Sequence, residues 1–346
     1  MIPAQRVQRL LVARPGALGD TLLVAPALAR LRQTCVQAQL TYWGNEPTAG
    51  LLHQMGLVDR VVSIDHLALA PLFVGAGSVR APKIAHHIGR LLGYPETAVI
   101  WLRRSDDVRQ ALATLGCATA VTAPSLPPGA RPDGTVEPGT SPPHVASYLV
   151  QTLDTWLGPH KGVETSLPRL EPTTKSQAWA AELWHRLGLT GDQPVIALHP
   201  GSGSLRKNWP AARFASIAAL LAGHDVATLL IEGPADATAA ARVSALAGTA
   251  IHSAPTAELD QIAALLGRCR AYLGNDSGIT HLAALTGTPT VAVFGPTAPS
   301  VWQPTGQSGW VVRTADRAVS PWPEVSEVAE AVFLALDCAP PPATPS

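Results

Sequence analysis

Short apolar runs that stop in glycine-bearing turns and pass straight into helix-patterned stretches dominate this chain, and the series begins twice. Residues 10–13 form the first run. The turn Pro15-Gly16-Ala17-Leu18-Gly19 follows, Asp20 stands where a helix N-cap belongs, and residues 21–33 are helical in pattern. Strand-like runs recur at 40–43 and 61–64, with a helical stretch at 51–55. The series restarts with a helix over 176–187, then strands at 194–198, 227–231, 271–273 and 290–294 with helical stretches between them. Strands alternating with helices make βαβ units, and βαβ units make parallel sheets. The expectation is an α/β chain of two Rossmann-like domains. Ligands of such sheets bind beyond the carboxyl ends of the strands, and the unusual residues of this chain fall there.

The expected limits are an N-terminal domain over 1–168, a linker over 169–176, a second domain over 177–322, and a C-terminal helix with a Pro-rich tail over 323–346. Seven of the 21 residues in 123–143 are proline, which predicts a loop there, and a helix is expected over 145–157. With 346 residues, 47% hydrophobic and only 14% charged, the chain can bury two sizeable cores. Its 25 basic and 25 acidic side chains cancel, so nothing in the overall charge favours nucleic acid. The four cysteines form no C-x-x-C pair, which argues against a zinc site and fits a reducing compartment. The N-terminal stretch lacks the apolar core of a signal peptide, and no run reaches the length of a membrane span. The expected place is the cytoplasm, with peripheral contact at the inner membrane face left open.

Three strand-end loops carry the candidate chemistry. In Arg14-Pro15-Gly16-Ala17-Leu18-Gly19-Asp20, Gly16 and Gly19 let backbone approach a ligand, and Asp20 offers a carboxylate at a helix start. In His199-Pro200-Gly201-Ser202-Gly203-Ser204-Leu205-Arg206-Lys207-Asn208-Trp209-Pro210, glycine and serine supply N–H and hydroxyl donors and Lys207 a point charge. That mixture suits a diphosphate. In Gly274-Asn275-Asp276-Ser277-Gly278-Ile279-Thr280-His281, a strand runs into a helix whose first N–H groups are open to a phosphate. Asp276 there suits a ribose hydroxyl or the loop itself, and His281 lies one turn into the helix. No loop is G-x-G-x-x-G, which argues against a nicotinamide-dependent oxidoreductase. No D-x-D pair is present, so no metal site is expected.

Together these segments resemble the heptosyltransferases, glycosyltransferase family nine. The family pattern L-G-D-x-x-x-x-x-P reads Leu18-Gly19-Asp20 to Pro26. H-P-G-x-x-x-x-x-K-x-W-P reads His199-Pro200-Gly201 to Lys207-Asn208-Trp209-Pro210. D-S/T-G-x-x-H-L-A reads Asp276-Ser277-Gly278 and His281-Leu282-Ala283, followed by Phe294-Gly295-Pro296-Thr297. The resemblance implies a GT-B fold, two Rossmann-like domains facing a central cleft, with the acceptor on the first and the nucleotide sugar on the second. It implies an inverting, metal-independent transfer that needs no cofactor, with an ADP-sugar, ADP-heptose foremost, as co-substrate. It assigns the catalytic base to Asp20 and the phosphate-binding cation to Lys207. Ser202, Gly203, Ser204, Asp276, Ser277, Gly278 and His281 complete the donor set.

Some family members carry a glutamate after a strand of the second domain. Here that strand end reads Ile231-Glu232-Gly233-Pro234-Ala235-Asp236, and either Glu232 or Asp236 can stand in for it. Gly16, Gly19, Arg103 and Arg104 are the candidate acceptor residues. The two arginines belong to a basic stretch with Arg80, Lys83, Arg90 and Arg109, which suits an anionic glycan or glycolipid. The rival readings are a GT-B transferase with another donor or a natural-product acceptor, and a non-catalytic nucleotide-sugar-binding module.

Overall fold

The computed structural model describes residues 3–103, 105–160, 167–189, 193–233, 236–306, 309–313 and 320–338. It divides into two compact units, Met1–Gly129 with Pro142–Leu167, and Ala130–Ser141 with Pro168–Ser346.

In the first unit, strands β1 (Arg9–Ala13), β2 (Gln39–Gly44), β3 (Arg60–Ser63), β4 (Thr97–Trp101) and β5 (Thr119–Ala123) form one sheet in the order β3-β2-β1-β4-β5. Every pairing is parallel, with Leu10 opposite Leu40 on one side and Thr97 on the other. All five residues of β4 are buried, as a strand covered on both faces must be. Leu11, Trp43, Ile100, Ile88 and Leu112 meet in the core.

The second unit holds β6 (Val195–His199), β7 (Ala227–Leu230), β8 (His252–Ser253), β9 (Ala271–Asn275), β10 (Thr290–Phe294) and β11 (Gly309–Arg313), ordered β11-β10-β9-β6-β7-β8 and again wholly parallel. Ile196, Phe214, Leu273 and Val291 pack with Val328 and Val332 of the C-terminal helix Val325–Cys338. That helix is therefore part of the second core and not an appendage after residue 322.

Both sheets reverse strand order at their first strand, β1 beside β4 and β6 beside β9. This is the switch point where loops splay apart and ligands enter. The α/β class with two parallel, Rossmann-like sheets is as the sequence predicts. Among the described residues, no helix is long and apolar enough to cross a membrane.

Four local expectations are corrected. The helix over 21–33 is two, Leu18–Leu22 and Ala25–Thr34. Pro26 lacks an N–H and its ring opposes the carbonyl four residues back, so one continuous helix cannot pass it. Asp20 is thus the third residue of a short helix whose N-cap is Ala17, not a cap itself. The helix over 145–157 likewise breaks into Val145–Thr152 and Asp154–Leu157. The helix Thr174–Arg186 starts inside the expected linker, because the Thr173 side chain accepts from Ser176 N and caps it there.

The Pro-rich loop differs most. Residues 130–141 go with the second unit, although the sequence reading puts everything to 168 in the first. Arg131-Pro132-Asp133-Gly134 is a tight turn in which Gly134 N donates to Arg131 O (3.0 Å) and Arg131 N to Thr135 O (2.9 Å). Gly134 sits at φ +86°, where glycine is favoured. The Asp133 carboxylate accepts from Thr135 Oγ1 (2.7 Å) and N (3.0 Å), and these bonds hold its pKa below the usual value. Ala298 N donates to Gly134 O (3.2 Å), docking the turn on the loop after β10.

Candidate functional site

In the first unit the site grows from the end of β1. Arg14, 1% exposed, follows the strand and turns its guanidinium back over the next loop. Its Nε donates to Asp20 O (3.3 Å), Nη1 donates to Ser125 O (2.7 Å), and Nη2 lies 3.5 Å from Asp20 Oδ1. Its own carbonyl accepts from the buried Tyr42 hydroxyl at 2.8 Å. Burial pushes the Tyr42 pKa upward and keeps that proton in place.

Asp20 is held from one side by a buried cation and keeps its carboxylate 35% exposed, so it can still meet a substrate hydroxyl. At Gly16 a Cβ would lie 2.5 Å from Asp20 Cβ, so the missing side chain makes room for Asp20 itself. Gly19 lies inside the helix Leu18–Leu22. Arg103 is exposed just beyond β4, and Arg104 lies outside the described residues.

In the second unit three strand-end loops converge. β6 ends in His199, β9 in Asn275, and His199 pairs with Gly274 across the switch point. Asn275 is fully buried and stitches the two loops together: its Nδ2 donates to Pro200 O (2.7 Å) and its Oδ1 accepts from Trp209 N (2.9 Å). Lys207 Nζ lies 3.0 Å from Asp276 Oδ2, with Asp276 almost fully buried. The sequence reading offered Lys207 to a diphosphate alone, whereas its ammonium here also neutralises a buried carboxylate. One oxygen of Asp276 is thus spent on holding Lys207, in keeping with the loop-fixing role among the two open to it.

The Ser202 hydroxyl is 2.6 Å from both Ser204 O and Asn208 Oδ1, so it braces its own loop. Ser204 N reaches Ser202 Oγ at 3.3 Å, and Gly203 is exposed with open space where a side chain would be. Ser277 caps the helix Gly278–Leu285, its side chain accepting from Thr280 N at 3.4 Å. Gly278 opens that helix and His281 is buried one turn in.

The choice between Glu232 and Asp236 divides on burial. Asp236 is buried and its Oδ2 is 2.9 Å from His199 Nε2, while Glu232 accepts from Thr256 Oγ1 at 3.2 Å near the surface. Asp236 was offered from sequence as an alternative to Glu232, but its partner His199, and Asn275 and Arg14, were not singled out as site residues. His199 stands inside a recognised motif and Asn275 and Arg14 inside the candidate loops, which was the available signal. No group of three metal-binding side chains is found among the described residues.

The arrangement offers a carboxylate backed by a buried arginine in one unit. In the other it offers a cradle of N–H groups, hydroxyls and one ammonium at a helix start, as a phosphate ester requires.

The model of "Glycosyltransferase family 9 (heptosyltransferase)" matches residues 135–328. Lipooligosaccharide heptosyltransferase 2 of Haemophilus ducreyi is 32% identical over 146 residues, a stretch that spans 39% of this chain and 41% of that protein. Among solved structures, glycosyl transferase family 9 from Veillonella parvula superposes with a TM-score of 0.73 at 21% identity, covering 95% of this chain and 97% of the other. E. coli ADP-heptose LPS heptosyltransferase II gives 0.69 at 17% identity, covering 95% and 98%.

Proposed function

The chain belongs to glycosyltransferase family 9, and from that membership we propose that it transfers a sugar, heptose from ADP-heptose, to a hydroxyl of an anionic glycolipid of the lipopolysaccharide core. The observation that carries the reading is the pair of switch-point sites, one carboxylate site and one phosphate cradle, each built on residues of the family's motifs. The names of the Haemophilus and E. coli relatives support the donor and the acceptor class.

In this reading the acceptor hydroxyl attacks the anomeric carbon while Asp20 takes its proton. The bond from that carbon to the diphosphate oxygen breaks, and ADP departs with the electron pair. Lys207, the N–H groups at Ser277 and Gly278, and the open backbone at Gly203 receive the charge that develops on the diphosphate. Ser202 and Asp276 hold these groups in place, and His281 backs the helix that carries them.

A helix start and a lysine do the electrostatic work for which other transferases use a divalent ion, so the transfer proceeds without metal. Arg103 and Arg104 meet the acidic acceptor. The protein works on the cytoplasmic side, touching the inner membrane only at its surface.

The test is release of ADP from ADP-heptose. It is expected only when a lipopolysaccharide-core acceptor is present, and it continues at the same rate in excess EDTA. ADP-heptose binding with no release would mark a non-catalytic sugar-nucleotide module. Loss of the reaction on chelation, restored by magnesium, would contradict metal independence. Tighter binding of GDP or UDP than of ADP would move the reading to another donor.

A further inference from the structure

We propose that Asp236 and His199 are positioning residues for the sugar-nucleotide donor, acting through Ser277. The proposal rests on the reading that the loops of the second unit hold a nucleoside diphosphate.

His199 is 1% exposed and closes β6 next to the donor loop that follows β9. Its Nε2 is 2.9 Å from Asp236 Oδ2, and its Nδ1 is 3.4 Å from Ser277 Oγ. An ionised carboxylate only accepts, so Nε2 carries the proton and donates it to Asp236. In the neutral ring Nδ1 is then a bare lone pair, open to the Ser277 hydroxyl proton.

The surrounding bonds agree with that direction. Thr280 Oγ1 spends its own proton on Asn275 O (2.5 Å) and accepts from Tyr272 OH (3.0 Å). Burial raises the Tyr272 pKa and keeps that proton on the phenol. Ser277 Oγ lies 3.4 Å from His199 Nδ1 and 3.1 Å from Thr280 Oγ1, so its proton has two acceptors. In the proposed arrangement it goes to His199 while the oxygen accepts from Thr280 N, which fixes both its rotamer and the backbone beside it.

The site of Asp236 is carved by glycine. A Cβ on Gly201 would overlap the Asp236 carboxyl carbon, and one on Gly233 would come within 2.5 Å of Asp236 Oδ2. The glycine of His199-Pro200-Gly201 thus makes room for Asp236. Two of the three residues in that motif serve one buried carboxylate, and through it the orientation of Ser277.

Two substitutions at His199 separate this role from simple support. Asparagine places an amide at the Nδ1 position and keeps the bond to Ser277, while it strands the buried Asp236. Glutamine reaches the Nε2 position and keeps Asp236 satisfied, but releases Ser277.

In urea unfolding His199→Asn is expected to be the less stable variant. In calorimetry with ADP the order reverses: His199→Gln binds about 5- to 10-fold more weakly than the unaltered chain, the loss of one hydrogen bond, and His199→Asn stays within about 2-fold. ADP affinities that follow the stability order, or that are equal in all three proteins, would overturn the proposal. Should His199→Asn not fold, Ser277→Ala is expected to weaken ADP as His199→Gln does. The double variant is then expected to add nothing further, whereas additive losses would overturn the coupling. Failure of the unaltered chain to bind ADP would remove the donor reading itself, and this proposal with it.

Discussion

At the scale of single residues, the two charges that matter most are both compensated. Arg14 leans on Asp20, and Lys207 on Asp276. Lys207→Ala removes a cation from the phosphate cradle and also leaves a buried carboxylate alone. ADP affinity is expected to fall by roughly 10- to 100-fold, since hydrogen bonds to charged groups are worth about 1.5–3 kcal/mol. Lys207→Ala binding ADP as the unaltered chain does would take Lys207 out of the site.

The cysteines make a separate case. Burial lifts the Cys35 and Cys117 thiols to about 11 and raises the Cys269 thiol further, while Cys338 is exposed. One thiol is therefore expected to react quickly with Ellman's reagent at neutral pH, with the rest appearing only on unfolding. Rapid labelling of more than one thiol in the native chain would contradict this.

The motifs name the candidate site residues. They do not name the partners those residues find. The contact between His199 and Asp236 spans 37 positions and that between Lys207 and Asp276 spans 69, distances closed only by strand order.

At the scale of elements, the seven strands predicted from apolar runs fall within about two residues of those observed. The runs do not reveal β4, β5, β8 and β11 at all; in the first two, Thr97–Trp101 and Thr119–Ala123, threonine and alanine blur the run. The helix ends are less legible. Pro26 splits a helix that periodicity alone joins, and a threonine cap starts another before its apolar face begins.

The turn at Gly134 was the least legible element. Composition marks a loop there, but only the tertiary contacts assign it to the second unit. A Cβ at Gly134 would strike the Thr297 methyl and approach Lys207 Cε at 3.4 Å, and φ there is +86°. Gly134→Ala is expected to lose about 1–2 kcal/mol from the backbone strain alone. The turn should detach, and proteinase K should cut within residues 124–143 well before the rest of the chain. An unchanged digestion pattern would show that the turn is not held by this contact.

At the scale of the whole molecule, the sequence shows one grammar used twice, and the structure returns two sheets of the same handed order, each reversing at its first strand. That symmetry puts one reactive loop at each switch point, and the proposed chemistry divides between them. The first unit supplies the base and the second holds the nucleotide.

The division makes Asp20→Asn the most direct test. Asp20 caps no helix, and its backbone carbonyl, which accepts from Arg14 Nε, is untouched by the change. The variant is expected to fold normally and to bind ADP with unaltered affinity. Its kcat for transfer from ADP-heptose is expected to fall by about 10²- to 10⁴-fold, the usual worth of a positioned general base. A folded Asp20→Asn protein that binds ADP and turns over at close to the normal rate would contradict the assignment of the base and the division of labour built on it.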